Sequence, residues 1–537
     1  MNYKKLNPES PVAKVVAQKK GSRAVISGSA DWYGACSIEK FNSSSALSLT
    51  HEDAQGFLDY PTQFAGKAAN FWMSDGGVKV WAYEEAYDNW QDTYGMDAVT
   101  VFYHSGHGAM NSNGVFWMPL GGVWDNRDKA YSNKMAFANE TLRYLFLSTC
   151  YSLRVSGNDS PVRTWWDPNK GGLRMLFGYE TTSVDNGNYG KYFWDEWKKG
   201  KTFTRAFLDA SWRISHNQVA VAMACGANQT EAVNRLNTER LFNRGAVGKG
   251  WYQWQWIGTL PNRSFNYKKA TPKQVNALIL ANHEFADARI AKIANTFGIA
   301  KTKASTILLD QYGNRMVKDG NVAVNVNSEG AVNIALKEAN AHNTSLINER
   351  KAISIAKATV KELQFDKGVQ LVQGNIRHRF TNGGSLEGSG TLGQAAAIET
   401  IVQYRQVHKG VKSINSDHGL ITVGIDNDGN VTNVYNATKQ ILGEKKNAAV
   451  MVGSPKEKAQ KSLSNENAIN DKIQKIISDA NYGTSKKRAF VNINTIREDI
   501  GYDFSATLAP VVQQKDVDID FGDDIQKRYK VRVPFMG

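Results

Sequence analysis

Short apolar runs alternate with amphipathic stretches through the first half of the chain, a pattern typical of a mainly parallel sheet covered by helices. Six apolar runs predict strands at 23–28, 78–83, 98–103, 144–148, 173–178 and 219–223. Between residues 188 and 215, apolar residues recur at helical spacing on both sides of Gly200. Because glycine weakens a helix, we expect two helices there, separated at this residue.

The second half has a different pattern, in which hairpins and single helices follow one another. Residues 271–297 predict an amphipathic helix, with Thr271 as N-cap and Pro272 at its first position. Asp-Gly and Asn-Gly turns predict hairpins in three segments, 310–327, 375–390 and 419–437. Further helices are expected at 345–363 and 465–480. The second half is therefore predicted to be an α+β extension.

Composition changes near residue 262. All 14 tryptophans lie at or before Trp256, and the net charge of +14 divides into +3 for residues 1–262 and +11 for the remainder. A shift of this kind beside a polar, proline-containing stretch indicates a domain boundary. We expect an N-terminal extension (1–21), an α/β domain (22–262), an α+β module (263–365), a β-rich hairpin module (366–450) and a C-terminal α+β module (451–537).

Candidate chemistry lies just after two of the predicted strands. One strand leads into His104-Ser105-Gly106-His107-Gly108, and the run YLFLS at 144–148 leads into Thr149-Cys150. Loops at the carboxyl ends of parallel strands meet at one rim, so neighbouring strands would bring His107 and Cys150 together. An imidazole beside a thiol makes it a nucleophile. The N–H groups of Gly108 and Cys150 are the expected oxyanion donors.

An apolar strand ending in His-Gly, followed 43 residues later by a strand ending in Cys, resembles the caspase-like (clan CD) cysteine peptidases. The segment 171–214 is similar to the strand and helices after the nucleophile in bacterial members, and the resemblance covers roughly residues 22–260. It implies an α/β/α sandwich with a mainly parallel sheet, a peptide or protein substrate, His107 as general acid/base and Cys150 as nucleophile. The resemblance also implies a reaction that requires no cofactor and no metal. Tyr151-Ser152 stand where caspases carry a glycine-bearing tail.

Two further functional expectations concern regulation and specificity. Residues 403–437 resemble the strand pair of protease propeptide modules, which implies that the C-terminal half contacts and inhibits the catalytic domain. Asp185 follows the strand predicted at 173–178 and is the candidate for binding a basic substrate side chain.

Several alternatives stay open. A catalytically silent caspase fold that self-assembles into a homo-oligomer, or binds a partner, is the second hypothesis. A metal site at His104 with Cys150 or Asp97 lacks the usual zinc-ligand spacing, and Cys225 is a fallback nucleophile. The acidic loop 426–429 indicates a hairpin turn more than a calcium site.

The positive charge raises nucleic acid as a partner, but the +11 half has no recognisable reader motif. Neither a signal peptide nor an apolar stretch of membrane-spanning length is evident, so a cytoplasmic protein without membrane contact is expected.

Overall fold

The computed structural model of the chain describes residues 2–5, 9–13, 31–65, 68–156, 159–260, 276–281, 286–297, 299, 306–310, 312–320, 322–387, 392–445, 455–481 and 492–535. The strand expected at 23–28 and the N-cap expected at Thr271 lie outside these residues. Across the described residues, no helix is both long enough and apolar enough to cross a bilayer.

The strands fall on both sides of the predicted boundary. Those before residue 262 are β1 Asn2–Lys5, β2 Tyr33–Ser37, β3 Phe71–Ser74, β4 Val101–Ser105, β5 Ala109–Met110, β6 Phe116–Trp124, β7 Arg127–Tyr131, β8 Tyr144–Ser148, β9 Met175–Tyr179, β10 Ala220–Gly226 and β11 Trp251–Gly258. Those after it are β12 Ala277–Leu280, β13 Thr306–Leu309, β14 Arg315–Asp319, β15 Val322–Val326, β16 Val332–Ala335, β17 Gln370–Gly384, β18 Ala396–His408, β19 Val411–Lys412, β20 Leu420–Asp426, β21 Val431–Asn436, β22 Ile441–Lys445, β23 Asn492–Tyr502, β24 Leu508–Ala509, β25 Val511–Asp520 and β26 Gln526–Pro534.

The helices are fewer and most belong to the first half. They are α1 Thr50–Ala65, α2 Asp88–Tyr94, α3 Pro161–Trp165, α4 Tyr189–Trp197, α5 Phe203–Ile214, α6 Gln229–Thr238, α7 Ala286–Thr296, α8 Glu349–Glu362 and α9 Pro455–Asn481. Short 3-10 turns occupy Asp75–Gly77, Val80–Ala82, Glu85–Tyr87, Met96–Ala98 and Ser132–Lys134.

One sheet runs through both halves of the molecule. Its first part has the order β3-β2-β4-β8-β9, in which every neighbouring pair is parallel, and β10 closes this part as an antiparallel strand beside β9. The sheet then continues through β11, which pairs antiparallel with β17 of the second half. The chain is thus mixed α/β, and its sheet taken as a whole is mostly antiparallel rather than mainly parallel.

Helices and turns cover the two faces of the parallel part. On one face, α1, α4 and α5 bury an aromatic cluster against β4, β8 and β9, in which the Phe57, Phe146 and Phe193 rings lie within 6 Å of one another. The other face packs against 3-10 turns, α3 and the small β5-β6-β7 sheet. Apolar burial on both faces explains why these strands are continuous apolar runs.

The strands predicted at 98–103, 144–148, 173–178 and 219–223 are confirmed within a few residues, and the two helices separated at Gly200 are α4 and α5. Gly200 has a φ of +89°, and the Thr202 hydroxyl caps α5 by accepting from the Arg205 N–H. The turn predicted at 426–429 is confirmed by the hydrogen bond from Gly429 N–H to the Asp426 carbonyl.

Three predictions of local structure were wrong. Within residues 78–83, Val80–Ala82 form a 3-10 turn, because the apolar side chains of this run pack onto the sheet face while its backbone does not pair as a strand. In the helix expected at 271–297, residues 277–280 form β12, which pairs antiparallel with β22 and β24, and among the described residues of this stretch the helix is Ala286–Thr296. The third wrong prediction is the hairpin at 375–390. The first ten residues of this segment belong to β17, a long strand that pairs with β11 on one side and with β18 on the other.

The C-terminal segment forms a separate three-stranded sheet, β23-β25-β26, on which α9 lies. Its core contains Ile469, Ile473, Val517 and Phe521, together with Ala109 and Trp117 of the first half. The C-terminal sheet therefore packs directly on the loop that follows β4.

Candidate active site

The register of two parallel strands brings the histidine and the cysteine to one rim. Ser105, the last residue of β4, is paired with Ser148, the last residue of β8, so His107 and Cys150 each follow this pair by two residues. The approach is close: a Cβ atom added at Gly108 would lie 2.7 Å from the Cys150 carbonyl oxygen. The structure therefore places His107-Gly108 against Cys150, as expected from the sequence.

A buried carboxylate fixes the ends of these strands. Asp53, in α1, accepts hydrogen bonds from the Tyr103 hydroxyl at 2.8 Å, the Ser105 hydroxyl at 2.8 Å and the Gly190 N–H at 2.9 Å. Burial raises the pKa of Asp53, although these donors oppose the effect. No motif marks Asp53, so sequence reasoning missed it; its only sequence signal is one acid in an amphipathic helix.

The hydrogen bonds of His107 fix its tautomer. Its Nε2 lies 3.1 Å from the carbonyl oxygen of Ser45 and 3.2 Å from the Ser45 hydroxyl. A carbonyl can only accept, so Nε2 carries the hydrogen and donates it, which makes Nδ1 the basic nitrogen of the neutral ring. The ring packs against Phe41, with 4.8 Å between centroids. Ser45 and Phe41 thus hold the imidazole ring in place.

The sulfur of Cys150 receives a hydrogen bond from a neighbouring loop. The N–H of Ser183 donates to Sγ over 3.3 Å, and the Ser183 hydroxyl lies 3.6 Å from the same atom. The next residue, Tyr151, has a φ of +58°, a conformation that favours glycine. The sharp turn after the cysteine is therefore made here without a glycine.

The C-terminal sheet covers both residues, whose exposure is 0%. The ring of Phe521, at the tip between β25 and β26, lies 6.2 Å from the His107 ring in an edge-on arrangement. On the cysteine side, the Tyr151 hydroxyl donates to Gln526 Oε1 over 2.9 Å. The contacts come from residues 516–530, whereas 403–437 lie in strands β18, β20 and β21 of the large sheet.

Asp185 lies at this covered rim. Its Oδ2 accepts the N–H of Ser48 over 3.3 Å, and its own N–H donates to the carbonyl of Arg528 over 2.9 Å. Burial raises the pKa of Asp185, and the nearby ammonium of Lys527 opposes that rise. The residue singled out for binding a basic side chain thus has a lysine of the same chain beside it.

The other candidate residues have structural roles. His104 is buried and hydrogen-bonded through Nδ1 to the Tyr83 hydroxyl at 2.8 Å, and burial lowers its pKa to about 3. Asp97 accepts backbone N–H groups of residues 140–142. Burial raises the pKa of Cys225 to about 12, which makes it a poor nucleophile.

The alternative prediction for His104 is a metal site shared with Cys150 or Asp97. Within the part of the chain that the structure describes, no group of three or more His, Cys, Asp or Glu side chains is arranged to hold a metal ion.

A cavity of about 560 Å³ lies elsewhere, between α1, α4 and strands β14–β16. Its walls include Tyr60, Lys198, Tyr312 and Asn325, and neither His107 nor Cys150 lines it. The rim with the dyad is covered by protein instead of being an open cleft.

No curated protein matches the chain. Residues 32–257, which run from the start of β2 into β11 and contain both His107 and Cys150, match the family model described as a domain of unknown function, DUF6345.

Proposed function

We propose that the chain is a caspase-like cysteine endopeptidase in which His107 and Cys150 form the catalytic dyad. The observation that supports this most is the parallel β4–β8 pairing, which sets the two residues equally far beyond the pair Ser105–Ser148. A sheet with five parallel strands, one antiparallel strand and a covering on both faces is consistent with a caspase-like sandwich.

The proposed reaction uses groups with suitable hydrogen bonding. His107 Nδ1 takes the proton of the Cys150 thiol, and the sulfur attacks the carbonyl carbon of the peptide bond. The N–H groups of Gly108 and Cys150 stabilise the oxyanion. The C–N bond breaks, the imidazolium protonates the leaving amine, and water then hydrolyses the thioester with His107 again acting as base. The Ser183 N–H contacts the attacking sulfur.

The C-terminal sheet is proposed to regulate this reaction. A substrate has to reach a sulfur and an imidazole that are both 0% exposed, so the segment around Phe521 must move first. We therefore infer that the form described here is closed, and that displacement of the C-terminal sheet activates it.

Peptide cleavage tests the proposal. The full chain and a Phe521→Ala chain, in which the cover is weakened, are incubated with a peptide library. Cleavage is expected in Phe521→Ala and is expected to disappear when Cys150→Ala or His107→Ala is added. Cys225→Ala in the same background is the matched control and should leave cleavage unchanged. Cleavage that survives Cys150→Ala would exclude this residue as the nucleophile.

A second candidate is the silent caspase fold that assembles with copies of itself or with a partner. The complete coverage of the dyad favours it, since a scaffold needs no access to the sulfur. Light scattering combined with the cleavage assay separates the two functions. A homogeneous oligomer that cleaves nothing, even with Phe521→Ala, supports the scaffold.

A further inference from the structure

The start of β26 enters the rim as an extended segment. Arg528 N–H donates to the Ser183 carbonyl over 3.2 Å, and Asp185 N–H donates to the Arg528 carbonyl over 2.9 Å, so Val184 and Arg528 form a parallel β-bridge. Main-chain pairing of this kind is how extended peptides are bound at an exposed strand edge. The loop that contacts the Cys150 sulfur is therefore already paired with a peptide segment of the same chain.

The side chain of Lys527 is buried in this segment. It is 3% exposed, and its ammonium donates to the Ser183 hydroxyl over 3.1 Å. Ser183 is also the residue whose N–H reaches the Cys150 sulfur. Lys527 thus points to the immediate neighbourhood of the nucleophile.

A buried ammonium needs a counter-charge as well as a hydroxyl, because desolvation of an unpaired charge is costly. The acidic group on this bridge is Asp185, whose backbone pairs with Arg528; burial raises its pKa, and the nearby charge of Lys527 opposes that rise. The carboxylate is held by the Ser48 N–H. Ser183 and Asp185 therefore make a preformed site for a cationic side chain within reach of Cys150.

We propose that Lys527 occupies the site for the substrate side chain, so that the peptidase takes substrates with lysine or arginine there and β26 is its resident occupant. The inference rests on the proposed peptidase function. It adds the substrate class and identifies Ser183 and Asp185 as the specificity residues. Release of Lys527 would uncover the sulfur and the cationic site together.

The test uses the full chain with Lys527→Glu, which sets an acid beside Asp185, and Lys515→Ala as matched control. Lys515 belongs to the same sheet but pairs with Glu466 on α9. Two measurements are needed. The rate at which iodoacetamide alkylates Cys150 reports how exposed the sulfur is. The rates of labelling by acyloxymethyl ketone probes that carry Lys, Arg, Leu or Asp report which substrate side chain the site prefers. If Lys527→Glu fails to fold, Lys527→Met takes its place.

We expect Cys150 to be alkylated about tenfold faster or more in Lys527→Glu than in the wild type or Lys515→Ala, which corresponds to about 1.4 kcal/mol. Lys and Arg probes should then label Cys150 faster than Leu and Asp probes, and adding Asp185→Asn should remove the difference. Unchanged alkylation would contradict the occupancy. Equal or faster labelling by Leu or Asp probes would refute the preference for cationic side chains but not the proposed peptidase function. If iodoacetamide alkylates Cys150 but none of the peptide probes labels it, the proposed peptidase function is refuted.

Discussion

Phe521→Ala tests how the C-terminal sheet closes the site. Phe521 is fully buried in the cluster that joins α9, β25 and β26 to the loop after β4, and its ring meets both His107 and Tyr529. The substitution removes the aromatic side chain from the contact with His107. It leaves the parallel sheet beneath unaltered.

The expected magnitude follows from the burial. Removing a buried phenylalanine side chain costs about 3–5 kcal/mol, and each 1.4 kcal/mol changes an equilibrium constant about tenfold. If even 3 kcal/mol acts on local opening of the C-terminal sheet, the open population rises roughly 100-fold. Cys150 should be alkylated faster by about the same factor when opening is in rapid equilibrium.

The assay has two internal controls. All three cysteines, Cys36, Cys150 and Cys225, are buried, so mass spectrometry of each alkylated peptide separates local opening from global unfolding. Selective acceleration at Cys150, with Cys36 and Cys225 unchanged, is the expected result. Equal acceleration at all three would mean that Phe521 stabilises the whole fold. An unchanged rate at Cys150 would refute its role as a cover.

Three other substitutions test the site and its support. Gly108→Ala places a Cβ 2.7 Å from the Cys150 carbonyl oxygen, so we expect thermal unfolding to show a loss of about 1–3 kcal/mol and, in the Phe521→Ala background, cleavage to be lost. Asp53 has a raised pKa, so its contribution to stability is present below pH ~4 and is lost as pH rises through the folded-state value. Asp53→Asn should therefore flatten the pH dependence of denaturant unfolding above pH ~4; an unchanged slope would contradict this. Burial opposes ionisation of Glu399, but Arg205 and Arg379 lower its pKa; their bonds of 2.7 and 2.9 Å join Glu399, in β18, to α5 and β17. Its stabilisation is present above pH ~4.3 and lost in acid, and Glu399→Gln should cost about 3–5 kcal/mol at neutral pH by calorimetry.

The strands and the rim were predictable because they depend on local signals. β4 and β8 are unbroken apolar runs, and two parallel neighbours necessarily end at the same edge. The residues that follow them, His107 and Cys150, could therefore be placed together from sequence.

The supporting contacts were not predictable. Asp53 reaches Ser105 from a helix 52 residues away, and Lys527 reaches Ser183 across 344 residues. Neither pair has a spacing or motif that distinguishes it from an ordinary surface charge. The resemblance of 403–437 to propeptide modules stays a prediction, and the contacts that Phe521 and Gln526 make at the site come from another segment that no local pattern marks.

The proposed function requires Cys150 to be a nucleophile that depends on His107. The most direct measurement is intact-mass and peptide mapping of a Phe521→Ala chain after exposure to an electrophilic peptide probe. We expect one adduct, on Cys150, and we expect it to be absent from the Phe521→Ala/His107→Ala chain although iodoacetamide still reaches the sulfur. An adduct on Cys36 or Cys225, or one on Cys150 that forms equally fast without His107, would contradict it.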